Sequence, residues 1–383
     1  MMLNGIDAGS CQRSLSQLGK LVLILVTLGL LILFADSVAA KEASWNWHDN
    51  TTLQLLYEGG YNSNILELSD NDITRFEDGT LPLATNVESQ DDLSQSFGLR
   101  AKIELPKWWG WRNGDISYTF RYLSFAKNSY NDRPIHTTHF NHDIFNRWDV
   151  FFNYMYIPER YLRDYRDRDL DQIIGTQFDY RLGGGGLQYS PEFLKGLRLS
   201  GRYEFFSIYY NKYFTEYDSE GWGLRFDARY RFNKYLTVTG IAKRRWSDNT
   251  GFNQHLLSAA GGSQAQDSEY GDGSYGEEWF ELDANLNIYN VLPKRIDLNA
   301  IARLRHRFYD SEQLLADDPV HSGREHIHMM FHLDAKTEVF EGLRVGPVFE
   351  YELRRTDSPL DWVVRAKNFD TYRLMLSLSY SIW

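Results

Sequence analysis

The side chains with most chemistry to offer are cationic and recur at alternate positions. Arg303, Arg305 and Arg307 stand at i, i+2 and i+4, and on an extended chain that spacing puts three guanidinium groups on one face. The same parity in other segments collects Arg100, Lys102, Arg121, Arg198, Arg202, Arg225, Arg229, Arg231, Lys336, Arg344, Arg354 and Arg373. Glu58, Glu104, Glu204, Asp227, Glu281, Asp283, Asp334, Glu338, Glu350 and Glu352 share it. A wall of this composition is mixed and mildly basic. It either favours anionic or polar solutes at a charged constriction, or braces itself with cross-strand ion pairs that narrow or close the space inside. The arginine triple has Glu281 and Asp283 on the segment before it, and Asp334 and Glu338 on the segment after it. Pairing and anion steering are therefore both open. The candidate selectivity residues are Arg100, Arg121, Arg202, Arg225, Arg229, Arg303, Arg305, Arg307, Arg344, Arg354, Glu281, Asp283, Glu350 and Glu352.

Other constellations are weaker. His326, His328 and His332 share a parity, with Asp334 beyond. Two histidines at i and i+2 on a strand can share a metal, which makes His326 and His328 weak candidate ligands; lumen or loop-base histidines are the plainer reading. Between residues 62 and 92, Glu67, Asp70, Asp72, Glu77, Asp78, Glu88, Asp91 and Asp92 face one base, Arg75. That segment reads as a solvated acidic loop, or as one that gathers divalent cations against an anionic surface polymer. The sequence has no G-x-S-x-G, H-E-x-x-H or phosphate-loop signature. No serine pairs with His306, and Gly183–Gly186 lies within a strand, where it makes room for a large neighbour. The expectation is a non-enzyme without a cofactor.

The elements that position these residues are strands. Phe97, Leu99, Ala101, Ile103 and Leu105 alternate with Gly98, Arg100, Lys102 and Glu104, and comparable alternation marks 222–232, 296–305, 343–354 and 372–382. The reading places strands at 51–61, 93–105, 115–127, 134–145, 149–165, 177–190, 197–210, 220–232, 235–247, 277–290, 296–309, 325–340, 343–356 and 369–383. That makes fourteen, or twelve without the hairpin 134–145/149–165. All exceed the usual 5 to 6 residues of a soluble strand and are long enough for the roughly 9 to 11 of a tilted strand that crosses a bilayer. Connections alternate between short and long polar. Of 383 residues, 11 are Trp, 25 Tyr and 23 Phe; this excludes disorder, and a net charge of −11 argues against nucleic acid as a partner.

Arg13 and Lys20 precede the apolar run 21–34, and Ser37-Val38-Ala39-Ala40 follows it, the three-part pattern of a secretory signal cleaved after Ala40. Cys11, the only cysteine, leaves with it. The domain expectation is a signal peptide at 1–40, a short periplasmic lead at 41–50 and a barrel at 51–383.

With its signal, long alternating strands, short-turn and long-loop asymmetry and a last strand ending in Trp383, the chain resembles bacterial outer-membrane β-barrels of the porin kind over about 51–383. The resemblance implies an all-β, single transmembrane, antiparallel up-and-down β-barrel in a Gram-negative outer membrane, with periplasmic turns and extracellular loops. Implied partners are membrane lipid and lipopolysaccharide, the barrel assembly machinery reading the last strand, and small hydrophilic solutes. Trp108, Trp109, Trp111, Tyr351, Tyr372 and Tyr380 suit interfacial girdles. One departure stands out: counting back by twos from Trp383 gives Ser381, Ser379 and Ser377, so the apolar set is offset by one. The expected function is a passive or weakly selective channel. The alternatives are a non-conducting accessory barrel whose acidic loops bind a surface polymer or partner, and an outer-membrane enzyme.

Overall fold

A computed structural model describes residues 47–81, 87–105, 114–167, 172–251, 272–289 and 294–382. The signal segment, Trp108, Trp109, Trp111 and Trp383 lie outside the described residues. A helical turn, α1 (Trp47–Asn50), belongs to a separate compact unit.

From Thr51 onward the chain forms fourteen antiparallel strands. They are β1 (Thr51–Asn62), β2 (Asp92–Leu105), β3 (Gly114–Phe125), β4 (Arg133–Phe145), β5 (Trp148–Asp167), β6 (Gln172–Tyr189) and β7 (Leu197–Tyr210), followed by β8 (Ser219–Arg231), β9 (Leu236–Asn249), β10 (Tyr275–Ile288), β11 (Ile296–Tyr309), β12 (Glu325–Phe340), β13 (Leu343–Asp357) and β14 (Phe369–Ser381). Each pairs with its neighbours in sequence, and β1 pairs with β14, from Gln54 opposite Ser381 to Asn62 opposite Arg373. The barrel is closed, and no edge is left unpaired. The hairpin on which the count of fourteen depended is present as β4 and β5.

Alternation decides which side is which. Phe97, Phe226 and Leu282 are 53%, 61% and 55% exposed, whereas Glu204 and Glu277 on the opposite parity are 3% and 1% exposed. The outer surface is apolar and the inner one charged, the arrangement a bilayer-spanning barrel requires. Tyr372 and Tyr380 lie exposed near the two ends of β14.

One hairpin runs past its expected ends at 165 and 177: β5 and β6 stay paired as far as Asp167 opposite Gln172, through register shifts between Ile157 and Arg160 and between Tyr161 and Arg163. Pro158 has no N–H to give a ladder, so it sits in a bulge, where Glu159 takes φ 48°. The glycine run of β6 makes room on both faces: a Cβ on Gly183 would stand 2.1 Å from the Phe205 ring, and one on Gly186 2.8 Å from Phe151.

The long connections share one end, where loop 1 (63–91) carries α2 (Asp70–Glu77) and loop 7 (358–368) carries α3 (Asp361–Lys367). Ser69 caps α2 by accepting from the Asp72 N–H at 3.1 Å.

Candidate functional site in the lumen

The inner face carries several clusters of ion pairs. On β7, Glu204 takes Lys243 at 2.6 Å and Arg245 at 3.1 Å from β9, with Arg202 at 3.8 Å. Those contacts cross β8, which has Gly223 in register between Glu204 and Arg245; a Cβ there would stand 2.8 Å from Arg245 Cγ. On β10, Glu277 takes Arg307 at 2.8 Å and Arg305 at 3.8 Å, and Glu281 takes Arg303 at 2.6 Å. Arg305 meets His328 Nδ1, and His328 Nε2 lies 2.5 Å from Glu352. Arg373 bridges Glu352 at 3.7 Å and Glu350 at 2.8 Å; His332 joins Glu350 at 3.4 Å and Asp334 at 3.2 Å. Trp279 lies under Arg303 and Lys243, 4.4 and 4.9 Å from its ring.

The arginine triple is thus paired, but not wholly with the carboxylates expected of it. Arg303 does take Glu281. Arg305 and Arg307 share Glu277, because the register sets Arg307 opposite Glu277 and Arg305 opposite Trp279, whereas Asp283 stands opposite Ile301. Asp283 instead accepts from Asn285 and Asn299 at 2.9 and 3.0 Å. Asp334 faces His332 and Lys336, and Glu338 accepts from the Gly342 N–H. Arg344 pairs with Asp297 at the turn end. Arg225 takes Asp227 at 2.7 Å, and Arg100 donates to Thr119 at 3.2 Å. Arg121 lies on the same face of β3, opposite Gly98. Lys243, Arg245, Glu277 and Trp279 were not singled out from the sequence. Their signal was available, since Glu277 and Trp279 share the parity of Glu281, but these residues stand where strand gives way to loop.

His326 and His328 are not arranged as a metal pair. His326 Nδ1 lies 2.9 Å from Thr356 Oγ1, and His328 is taken by Arg305 and Glu352. Among the described residues no group of three or more His, Cys, Asp or Glu could hold a metal ion.

Loop 1 is not a plain solvated loop. Leu66 and Leu68 are buried against Tyr161 of β5, with Ile73, Phe76 and Tyr130 packed around them. Between them Glu67, at φ 52°, lies 3.8 Å from Arg354 on β13. β5 and β13 are far apart in the barrel order, so loop 1 crosses the mouth. Arg354 also donates to the Lys367 carbonyl at the end of α3, at 2.7 Å. Asp92, 2% exposed, anchors the far end of the loop by accepting from Asn128 N–H at 2.8 Å and Lys127 N–H at 3.1 Å. The Ser89 hydroxyl, then Tyr61 and Lys127, hold the Asp91 carboxyl below its usual range against the opposing effect of burial.

Two other loops respond to acid in opposite senses. Burial holds His321 below the ordinary histidine value. Burial opposes the Asp318 carboxylate, but His321, 3.0 Å away, and Ser311, at 2.9 Å, outweigh it and hold it low. Both folded values lie below the unfolded ones, so this stability is present at neutral pH and is lost as pH falls, first through the histidine range and then through the carboxylate range. Asp218 is the reverse: burial raises it to about 6, so its contribution is full below the ordinary carboxylate value of 3.8 and is lost as pH rises through about 6. Hydrogen exchange between pH 7.5 and 5 is expected to show residues 310–324 losing protection severalfold while 211–218 gain it. Parallel change in both loops would contradict the assignment.

No protein-family model and no curated protein sequence matches the chain. Bacterial outer-membrane proteins are among the solved structures to which it is similar. One is a bacterial polysaccharide outer membrane secretin, 8% identical, with 88% of this chain and 100% of that one covered and a TM-score of 0.44. A second is the outer membrane channel DcaP of Acinetobacter baumannii, 11% identical, covering 87% and 97%, at 0.41. A third is an anion-selective porin from Comamonas acidovorans, 8% identical, covering 87% and 99%, at 0.37.

Proposed function

We propose that this barrel lies in a bacterial outer membrane and acts as a passive, non-enzymatic channel for small hydrophilic solutes, favouring anions. The observation that carries the reading is the uneven filling of the lumen. At the loop end the charges are packed and buried. At the turn end Arg198, Arg229 and Arg231 are exposed on the inner wall, bordering a polar hollow of about 710 Å³. Side chains fill a barrel of about 8 strands; diameter grows with strand number, and fourteen leave space. The partners this reading implies are lipid and lipopolysaccharide around the barrel and the assembly machinery acting on its last strand.

A second reading is a non-conducting accessory barrel. The buried Glu204 and Glu277 clusters and the inward loop 1 favour it. Reconstitution of the folded, heat-modifiable protein in a planar bilayer separates the two. Stable ohmic single-channel currents are expected; a folded barrel that never conducts moves the reading to the accessory role.

A further inference from the structure

The packed ion-pair clusters of the loop end do not extend to the turn end of β7 and β8. There the register sets Arg198 opposite Arg229 and Arg202 opposite Arg225. Like charges directly opposite one another destabilise a sheet. Many cations elsewhere on the wall have carboxylate partners, although Arg100 on β2, which donates to Thr119, forms no such pair; here Arg225 has Asp227 and Arg202 shares Glu204, whereas Arg198, Arg229 and Arg231 form no ion pair within 4 Å among the described residues, and Arg198 and Arg229 feel Asp149 and Asp283 only at longer range. The hollow they border is lined by seven basic side chains and two carboxylates, Asp227 and Asp283. Its about 710 Å³ falls within the range of small-molecule sites, and is ample for more than a single inorganic ion. Repelling guanidinium groups that outnumber the carboxylates around a polar hollow of that size are arranged for an incoming multivalent anion, which arginine binds through forked hydrogen bonds.

We infer that the turn-side lumen of β7–β9 is a binding site for a small organic polyanion bearing two or more carboxylate or phosphate groups, with Arg198, Arg229 and Arg231 as its principal contacts. This deepens the channel reading and rests on it for its role in transport, although binding itself does not require conduction. A solute held there would enter the hollow, displace water from the arginines and relieve their mutual repulsion.

The test is calorimetric titration of inorganic pyrophosphate, and separately of citrate, into the folded full-length barrel, with conductance recorded on the same preparation. At least one probe is expected to bind, and the two arms tell phosphate from carboxylate chemistry. Arg198→Gln with Arg229→Gln is expected to weaken binding about tenfold or more, the equivalent of one lost charge-assisted contact, whereas Arg365→Gln on α3 leaves it unchanged. Arg229→Gln alone is also expected to raise the unfolding midpoint in polyanion-free buffer, a change that a bracing role for this arginine would reverse. No binding of either probe, undiminished binding by the double variant, or a lowered midpoint overturns the site. Conduction without binding removes the site and leaves the channel; binding without conduction leaves the site and removes the channel.

Discussion

Replacing Glu277 with glutamine is expected to cost the barrel about 3–5 kcal/mol, the range for removing one partner from a buried charge pair. The carboxylate is 1% exposed and sits under Arg307, which donates to it from Nε at 3.0 Å and Nη2 at 2.8 Å, with Arg305 at 3.8 Å. Arg307 also lies over the Tyr275 ring, 3.9 Å from its centre, and cannot swing to water without breaking that contact. Glutamine keeps the shape and removes the charge, leaving two guanidinium groups in a crowded wall with no anion between them. Urea unfolding of the refolded barrel, followed by tryptophan emission, measures the loss. Adding Arg307→Gln is expected to recover part of it. A change within about 1 kcal/mol, the value of an exposed pair, would mean that the cluster is wet and that the loop-side lumen is wider than described.

Shortening loop 1 is expected to open the mouth. Asn62 and Asp92 are register partners at the ends of β1 and β2, so a four-residue Gly/Ser link can replace 64–90 without moving either strand. Removing that segment takes away Leu66, Leu68 and α2 from above the lumen and frees Arg354 from Glu67. Single-channel conductance is expected to rise severalfold. Glu67→Gln, which keeps the loop and removes only the contact with Arg354, is expected to give flickering intermediate currents. Unchanged conductance in the shortened barrel, with heat-modifiability intact, would show that the narrowest point lies lower, among Glu204, Lys243 and Arg245.

Much of this was legible in the residues, because period two is imposed by the membrane. Each strand must show apolar groups outward and tolerate charge inward, so Phe97, Leu99 and Ala101 alternating with Arg100 and Lys102 disclose both the strand and its facing. Even the hairpin of β4 and β5 obeys the pattern. Legibility ends where the alternation does. Alternation carries the strand 149–165 through Pro158 and Glu159, but it does not show the bulge that absorbs them or the continuation of β5 to Asp167. Glu277 stands in the third residue of its strand, where a glycine-rich acidic run meets the barrel, so its partnership with Arg307 depends on register that the sequence does not display. Loop 1 was read from its carboxylates; the residues that decide its course are Leu66 and Leu68, buried on a β5 tyrosine about a hundred positions away. The identity of cross-strand partners, and hence which arginines are neutralised, depends on register; parity alone assigns only the face.

The most direct test is the reversal potential of the reconstituted wild-type barrel under a KCl gradient. A lumen whose paired charges cancel at the loop end and whose arginines outnumber the carboxylates around the turn-side hollow predicts a potential displaced toward chloride, with the displacement reduced when Arg198 and Arg229 are both glutamine. A potential displaced toward potassium, or one that the double variant leaves unmoved, would contradict it.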